Sequence, residues 1–198
     1  MNFTQEIELH ARWRDSLGKE GAKLSRGDLD LAGLDLSDQN LSGIEIPGSI
    51  LDEARLSGVD FYTCNLASCT FRNADLTNAV LTKANLDYAT LVDCILRGAK
   101  LFRTSLAHTD LTRADLLDVD LRHAYLHDAV LVGTNLRGAI LEGSTFVGAT
   151  LSAVHLENTQ FRGARGLDAA TVNDIHIGPA PEDHLVGSQA REWLLRRV

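Results

Sequence analysis

Every fifth residue from Leu31 to Phe161 is leucine, isoleucine or phenylalanine, without a break. That spacing excludes both regular secondary structures. On an α-helix, five residues advance the chain by about 500°, so the large residues would spiral around the helix instead of lining one face. On a flat strand side chains alternate, so a step of five sends each large residue to the face opposite its predecessor. Two residues before each large position the chain is mostly small, as at Ala54, Val59, Cys64, Cys69, Ala74, Ala79, Ala84 and Ala89. The remaining three positions of most units are polar, charged or glycine. A chain that turns a corner every five residues satisfies this pattern, with the large residue on a common axis, the small one beside it and three residues facing out. The periodicity predicts a closed coil and leaves its number of sides open.

The units Ala74-Asp75-Leu76-Thr77-Asn78, Ala84-Asn85-Leu86-Asp87-Tyr88 and Ala114-Asp115-Leu116-Leu117-Asp118 resemble the A(D/N)LXX motif of the pentapeptide-repeat family. The resemblance covers residues 29–163. It implies an all-β solenoid, a right-handed quadrilateral β-helix with twenty residues per coil. On that geometry the repeat makes about seven coils and a rod of roughly 30 Å, at a strand-like spacing of about 4.8 Å per coil. Residues twenty apart then stack, and only the two ends of the rod leave backbone groups unpaired.

Both ends carry candidate caps. Residues 1–28 form an N-terminal capping segment in which Leu9, Trp13 and Leu17 make a helical stripe that could lie over the first coil. Residues 164–198 form a C-terminal segment: the fives fail at Gly166, and Val186, Ala190, Trp193 and Leu194 share one helical face after Gly178-Pro179-Ala180-Pro181. Trp193 and Leu194 serve either as a cap or as a homodimer contact. Relatives that protect topoisomerases dimerise through C-terminal elements, which keeps the second option open.

With 198 residues, 44% apolar and 23% charged, the chain is long enough for one sizeable core. No stretch approaches the roughly 18 apolar residues that span a bilayer. The start, MNFTQEIELHARWRD, shows no basic-then-apolar signal pattern, so the cytoplasm is the expected compartment. A net charge of −8 argues against general nucleic-acid binding through phosphate neutralisation. Cys64, Cys69 and Cys94 are odd in number, sit at the inward small position and lack the C-x-x-C spacing of a metal site. They read as core filler, and no metal or cofactor is expected.

Under the four-sided geometry, outward residues fall into columns. Tyr88, His108 and Asp128 share one, an arrangement similar to an acid–base relay; no nucleophile stands beside it and a convex rod offers little cleft, so catalysis is not expected. Three faces are acidic, including the one with Asp35, Asp38, Asp75, Asp115 and Asp118. The fourth is basic: Lys83, Lys100, Arg103, Arg122 and Arg162 outnumber Asp60, Asp120 and Glu142, and Lys83, Arg103 and His123 share a column beside outward Phe102. Stacking like charges one strand spacing apart has an electrostatic cost, which suggests use by an acidic partner or an anion. The expected function is a non-enzymatic, rigid protein–protein interaction rod with Lys83, Lys100, Phe102, Arg103, Arg122 and His123 as its contact. The family resemblance also implies an alternative: an acidic rod that mimics duplex DNA and modulates DNA gyrase or topoisomerase IV, or protects them from quinolones and other poisons. Two features depart from that alternative, the uninterrupted repeat without projecting loops and the basic fourth face.

Overall fold

The computed structural model describes residues 3–198. From Ser25 onward, every fifth residue pairs in parallel with the residue twenty positions further on. Ser25↔Glu45, Asp30↔Ile50, Asp35↔Arg55 and Asn40↔Asp60 open four such columns, which continue as far as Ile140↔Gln160 and Thr145↔Arg165. One turn of the coil is therefore four five-residue units. All the large positions from Leu31 to Phe161 are buried, and so are the inward small positions from Ile44 to Val154, giving one continuous core along the axis.

Residues 74–78 show why a five-residue unit is stable. The Asp75 N–H donates to the Ala54 carbonyl of the coil before, at 3.0 Å. Leu76 and Asn78 donate to the Ile95 and Arg97 carbonyls of the coil after, at 2.7 and 2.9 Å. The Ala74 N–H closes the preceding turn onto the Phe71 carbonyl at 3.1 Å. Only the Thr77 N–H lacks a backbone partner, and it donates to Asp75 Oδ1 at 2.9 Å. The same side-chain bond joins Asp35 to Ser37, Asn65 to Ala67, Asp115 to Leu117 and Asn135 to Arg137. The Asp or Asn that precedes each large residue is thus an Asx cap for the one backbone donor the coil cannot pair.

The tight turn that follows needs a left-handed residue at the second position after each large one. Gly58, Gly98 and Gly138 fill it without strain, with φ of 67°, 64° and 68°, but Lys83, Tyr88, Arg103, His108 and His123 also adopt φ of 57–61° there.

At the N-terminal end, helix α1 (Phe3–Asp15) lies against the first coils. The face that docks differs from the expected Leu9-Trp13-Leu17 stripe: Phe3 and Ile7 pack on the core, and His10 is the fully buried residue of the helix. Leu17 is 90% exposed. It occupies the left-handed position of a Schellman motif, with φ 55°, Leu17 N–H donating to the Arg14 carbonyl and Gly18 N–H to the Trp13 carbonyl. His10 ties α1 to the coil from both ring nitrogens. Nε2 lies 2.9 Å from the Ser42 carbonyl, and Nδ1 accepts the Leu24 N–H at 3.2 Å.

At the other end, pairing runs on past residue 163 with one residue inserted. Strand β1 (Val130–Val132) pairs with β2 (Thr150–Ser152), and β2 with β4 (Thr171–Val172), the last register being Thr150↔Thr171. Strand β3 (Val154–His155) pairs in parallel with β5 (Asp174–His176). The chain then reverses, and β6 (His184–Val186) lies antiparallel to β5. Helix α2 (Gly187–Leu195) follows and buries Ala190 and Leu194. The parallel coil pairing ends there, with β6 the last strand of its sheet and α2 following it in place of a further coil.

Two predictions follow from these contacts. Replacing Asp75 with Ala removes the acceptor for both the Thr77 N–H and its hydroxyl, and should cost about 1 kcal/mol in urea unfolding; Asp75→Asn keeps the Oδ1 acceptor and should unfold like the parent. Burial is the main cause that lowers the His10 pKa from 6.5, with the positive charges of Arg14 and Lys23 acting the same way. The His10 contribution to docking of α1 is therefore fully present above pH 6.5 and lost as the pH falls through the lowered value, because a protonated Nδ1 cannot accept the Leu24 N–H. In a Trp193→Phe background, Trp13 emission should shift to the red on acidification, and a His10→Gln variant should lack the transition.

Candidate functional site

The four columns of left-handed turn positions differ in what they carry. Two hold mostly Gly, Asn and Asp, the types that tolerate this conformation, as in Asp38, Gly58, Asn78, Gly98, Asp118, Gly138 and Asn158. The other two place bulky side chains in their middle rungs and glycine toward the ends. One reads Gly43, Thr63, Lys83, Arg103, His123, Gly143, and its neighbour Gly48, Ser68, Tyr88, His108, Asp128, Gly148.

The first of these columns forms a cation–aromatic cluster with the residues that precede its rungs. Half-buried Phe102 sits at the centre. The Arg103 and Arg122 guanidiniums lie 5.5 and 5.9 Å from its ring centre, and His123 meets it edge-on at 5.6 Å. One coil away, Lys83 Nζ stands 5.7 Å over the Tyr62 ring and 3.4 Å from its hydroxyl. Aromatic faces offset part of the repulsion between stacked cations. Arg122 is also held by Asp120 through a two-point ion pair at 2.9 and 2.7 Å, and this contact lowers the Asp120 pKa. The expected contact residues Phe102, Arg103, Arg122 and His123 thus come together, with Lys83 on the adjacent rung. Lys100 is exposed on the neighbouring bridge column, between Val80 and Asp120. Tyr62, which orients Lys83 and shares the outward column of Phe102, lies outside the contact residues expected from the sequence.

The acidic face is less open than its charge suggests. Asp35 accepts from Arg55 at 2.6 Å, and that contact holds its carboxyl well below the usual carboxylate range. Asp115 accepts from Arg97 at 2.6 Å and from Asn135 at 2.8 Å. Asp35, Asp75 and Asp115 all cap turns, while Asp38 and Asp118 occupy left-handed rungs. In the neighbouring column, Tyr88 and His108 stack face to face at 4.7 Å and 10°, so the phenol does not point at an imidazole nitrogen. His108 Nδ1 is 3.8 Å from Asp128. This is a stacked, solvent-exposed ladder, not a hydrogen-bonded relay. At the C-terminal cap, Leu194 is buried within the chain and Trp193 meets Phe161 edge-on at 6.4 Å, with the Arg197 guanidinium 3.5 Å over its ring.

Comparison with protein families matches the pentapeptide-repeat model over residues 30–66, 61–98, 99–138 and 129–165. The chain belongs to the pentapeptide-repeat family. Its fold is a right-handed β-helix. Among solved structures, a trypsin-treated Arg-to-Glu variant of QnrB1, a plasmid-mediated fluoroquinolone resistance protein, superposes with a TM-score of 0.54 at 20% identity, covering 77% of this chain and 81% of the trypsin-treated one. HetL, a pentapeptide-repeat protein involved in heterocyst differentiation regulation in the cyanobacterium Nostoc sp., is 23% identical over 89% of this chain and 97% of its own, with a TM-score of 0.39. A pentapeptide-repeat protein of the Arabidopsis thaliana thylakoid lumen is 18% identical over 85% and 92%, with a TM-score of 0.31. Comparison with curated proteins finds no significant match.

Two further groups stand out in this pentapeptide-repeat chain. The three cysteines are buried free thiols. Cys64 and Cys69 donate to the Leu41 and Ile46 carbonyls at 3.1 Å, as Thr104 and Thr109 do to Leu81 and Leu86, so a thiol and a hydroxyl serve alike at the inward small position. Burial pushes the Cys64 and Cys69 thiols up to about 12 and raises Cys94 as well. All three should resist iodoacetamide at about pH 8 in the folded protein and react once urea exposes them; labelling of the native chain at the rate of free cysteine would contradict this burial. The second group, a row of histidines at the C-terminal cap, was invisible in the sequence. His155 and His176 are paired across an interval of twenty-one, not twenty, and His184 reaches them on a strand running the other way.

Proposed function

We propose that this protein is a non-enzymatic interaction rod, a four-sided coil of about seven turns at a rise of about 4.8 Å per turn, that presents its basic face to an acidic protein partner. The observation that carries the reading is the cluster of Phe102, Arg103, Arg122 and His123 with Lys83 and Tyr62 on the next rung. Arginine and aromatic side chains are the types that dominate binding energy at interfaces. Here the backbone that bears them is pinned by the coil on either side, so association orders few degrees of freedom. Several of these side chains sit at left-handed positions where glycine would be the relaxed choice. Replacing Lys83, Arg103 and His123 together with Ser should abolish retention of the partner from a cell lysate of the native host while thermal unfolding stays within a few degrees of the parent. Retention of the same partner by the triple variant would remove the assignment.

The second reading is a DNA-mimicking modulator or protector of DNA gyrase or topoisomerase IV, acting in the cytoplasm. Its support is the net charge of −8 and three acidic faces on a stiff rod. Against it stand the unbroken bridge register, which leaves no projecting loop within the coil, and the capping and ion-pairing roles of Asp35, Asp75 and Asp115. A gyrase supercoiling assay titrated with the protein, with and without a quinolone, separates the two. Inhibition or protection near stoichiometric concentration favours the second reading, and no effect leaves the basic face as the functional one.

A further inference from the structure

Three histidines form one row across the last sheet. His155 on β3 pairs with His176 on β5, and His176 pairs in turn with His184 on β6. Their side chains therefore leave the same face at the same register. The rings stack successively at 4.6 Å and 16°, then at 4.4 Å and 7°. Asp174 stands two residues before His176 on β5 and so projects to the same face. Its carboxylate lies 3.0 Å from His184 Nε2 and is fixed from behind by the Ser152 hydroxyl at 2.8 Å and the Ala153 N–H at 2.9 Å. One donor atom from each of Asp174, His176 and His184 lies within 4.8 Å of the other two. Beside them opens a cleft of about 480 Å³, lined also by Arg137, Glu157 and the Gly178–Pro181 loop.

We propose that Asp174, His176 and His184 form a site for a divalent transition-metal ion of the zinc class, with His155 as the next imidazole within reach. The donor set decides the class: imidazole nitrogens with one carboxylate oxygen suit Zn²⁺, Co²⁺, Ni²⁺ or Cu²⁺, whereas Ca²⁺ and Mg²⁺ take oxygen ligands throughout. The neutral imidazole is the form that ligates a metal ion. Parallel rings hold their in-plane lone pairs side by side, so binding requires His176 and His184 to turn about the Cβ–Cγ bond. That torsion is broad for histidine, and the cleft leaves room for the movement. The Ser152 and Ala153 donors fix the Asp174 carboxylate, the outer-shell support that metal ligands commonly have. An ion held there would join the last parallel strand to the reversing strand β6, and thereby secure α2 on the final coil.

The test is titration of the full chain, free of any polyhistidine tag, with Zn²⁺ alone by calorimetry, and with Co²⁺ alone by visible absorption. A single ion per chain should bind and raise the melting temperature. His184→Ala, at an exposed position, and Asp174→Asn should each weaken binding by about tenfold or more; circular dichroism verifies that both variants keep the fold. His127→Ala, on the coil away from the row, should bind as the parent does. No saturable uptake by the parent, or uptake that survives both His184→Ala and Asp174→Asn, would overturn the site.

Discussion

The structure depends on the pairing of backbone donors in a five-residue unit. A chain that turns every five residues can give four of its five N–H groups to carbonyls in the same turn or in the coils on either side, as residues 74–78 do. The fifth points along the turn and has no backbone partner. An unpaired donor in every unit would be a cumulative penalty of about 1–3 kcal/mol each wherever water is excluded. An Asp or Asn two residues earlier removes it, because its short side chain reaches that N–H from a position already fixed by a bridge. Where that position holds another residue type, the chain finds substitutes: Asp52 caps the Arg72 N–H and Asp87 the Ala107 N–H from the preceding coil.

This constraint changes how the surface charge reads. Many carboxylates are where they are because the turn needs an acceptor, and the acidity of three faces is in part a by-product of the fold. Ion pairs then use some of what remains: Asp93 holds Arg113 at 2.7 and 2.5 Å across one coil, just as Asp35 holds Arg55. A positive side chain has no such role in the backbone pattern. Lys83, Arg103 and His123 cap nothing, and their left-handed positions favour glycine, so their presence is not explained by the coil. A functional account fits them better than it fits Asp75 or Asp115.

The leucine period, the inward small residues and the columns of twenty were legible because each is a strict consequence of the coil's geometry, and the contact cluster around Phe102 followed once those columns were stacked. What escaped depended on local breaks in the period. The role of Asp and Asn could be seen as a motif, but its physical cause required the direction of the Thr77 N–H. The docking face of α1 departs from the Leu9-Trp13-Leu17 stripe because side-chain size does not decide it. His10 is buried instead, since a neutral imidazole can satisfy the Leu24 N–H and the Ser42 carbonyl together, which no aliphatic side chain does. A single inserted residue between Arg165 and Thr171 moved His176 out of the expected register and hid its alignment with His155.

The two ends of the solenoid solve different problems, and this bears on how the rod can be used. At the N-terminal end a helix is docked through Phe3, Ile7 and the buried His10, and the cover is incomplete: Leu34 occupies an inward position yet is 40% exposed. At the C-terminal end antiparallel β6 pairs with β5, the other sheet ends on β4, and α2 adds Ala190 and Leu194 to the core. A reversed strand satisfies the edge of β5 while presenting its own outer donors and acceptors, whereas a helix laid over the end hides apolar surface without consuming the strand donors and acceptors. The C-terminal cap thus breaks the parallel register with a strand of opposite direction. The N-terminal end relies in part on a contact that weakens on protonation, and release of α1 would expose the first coil of the rod.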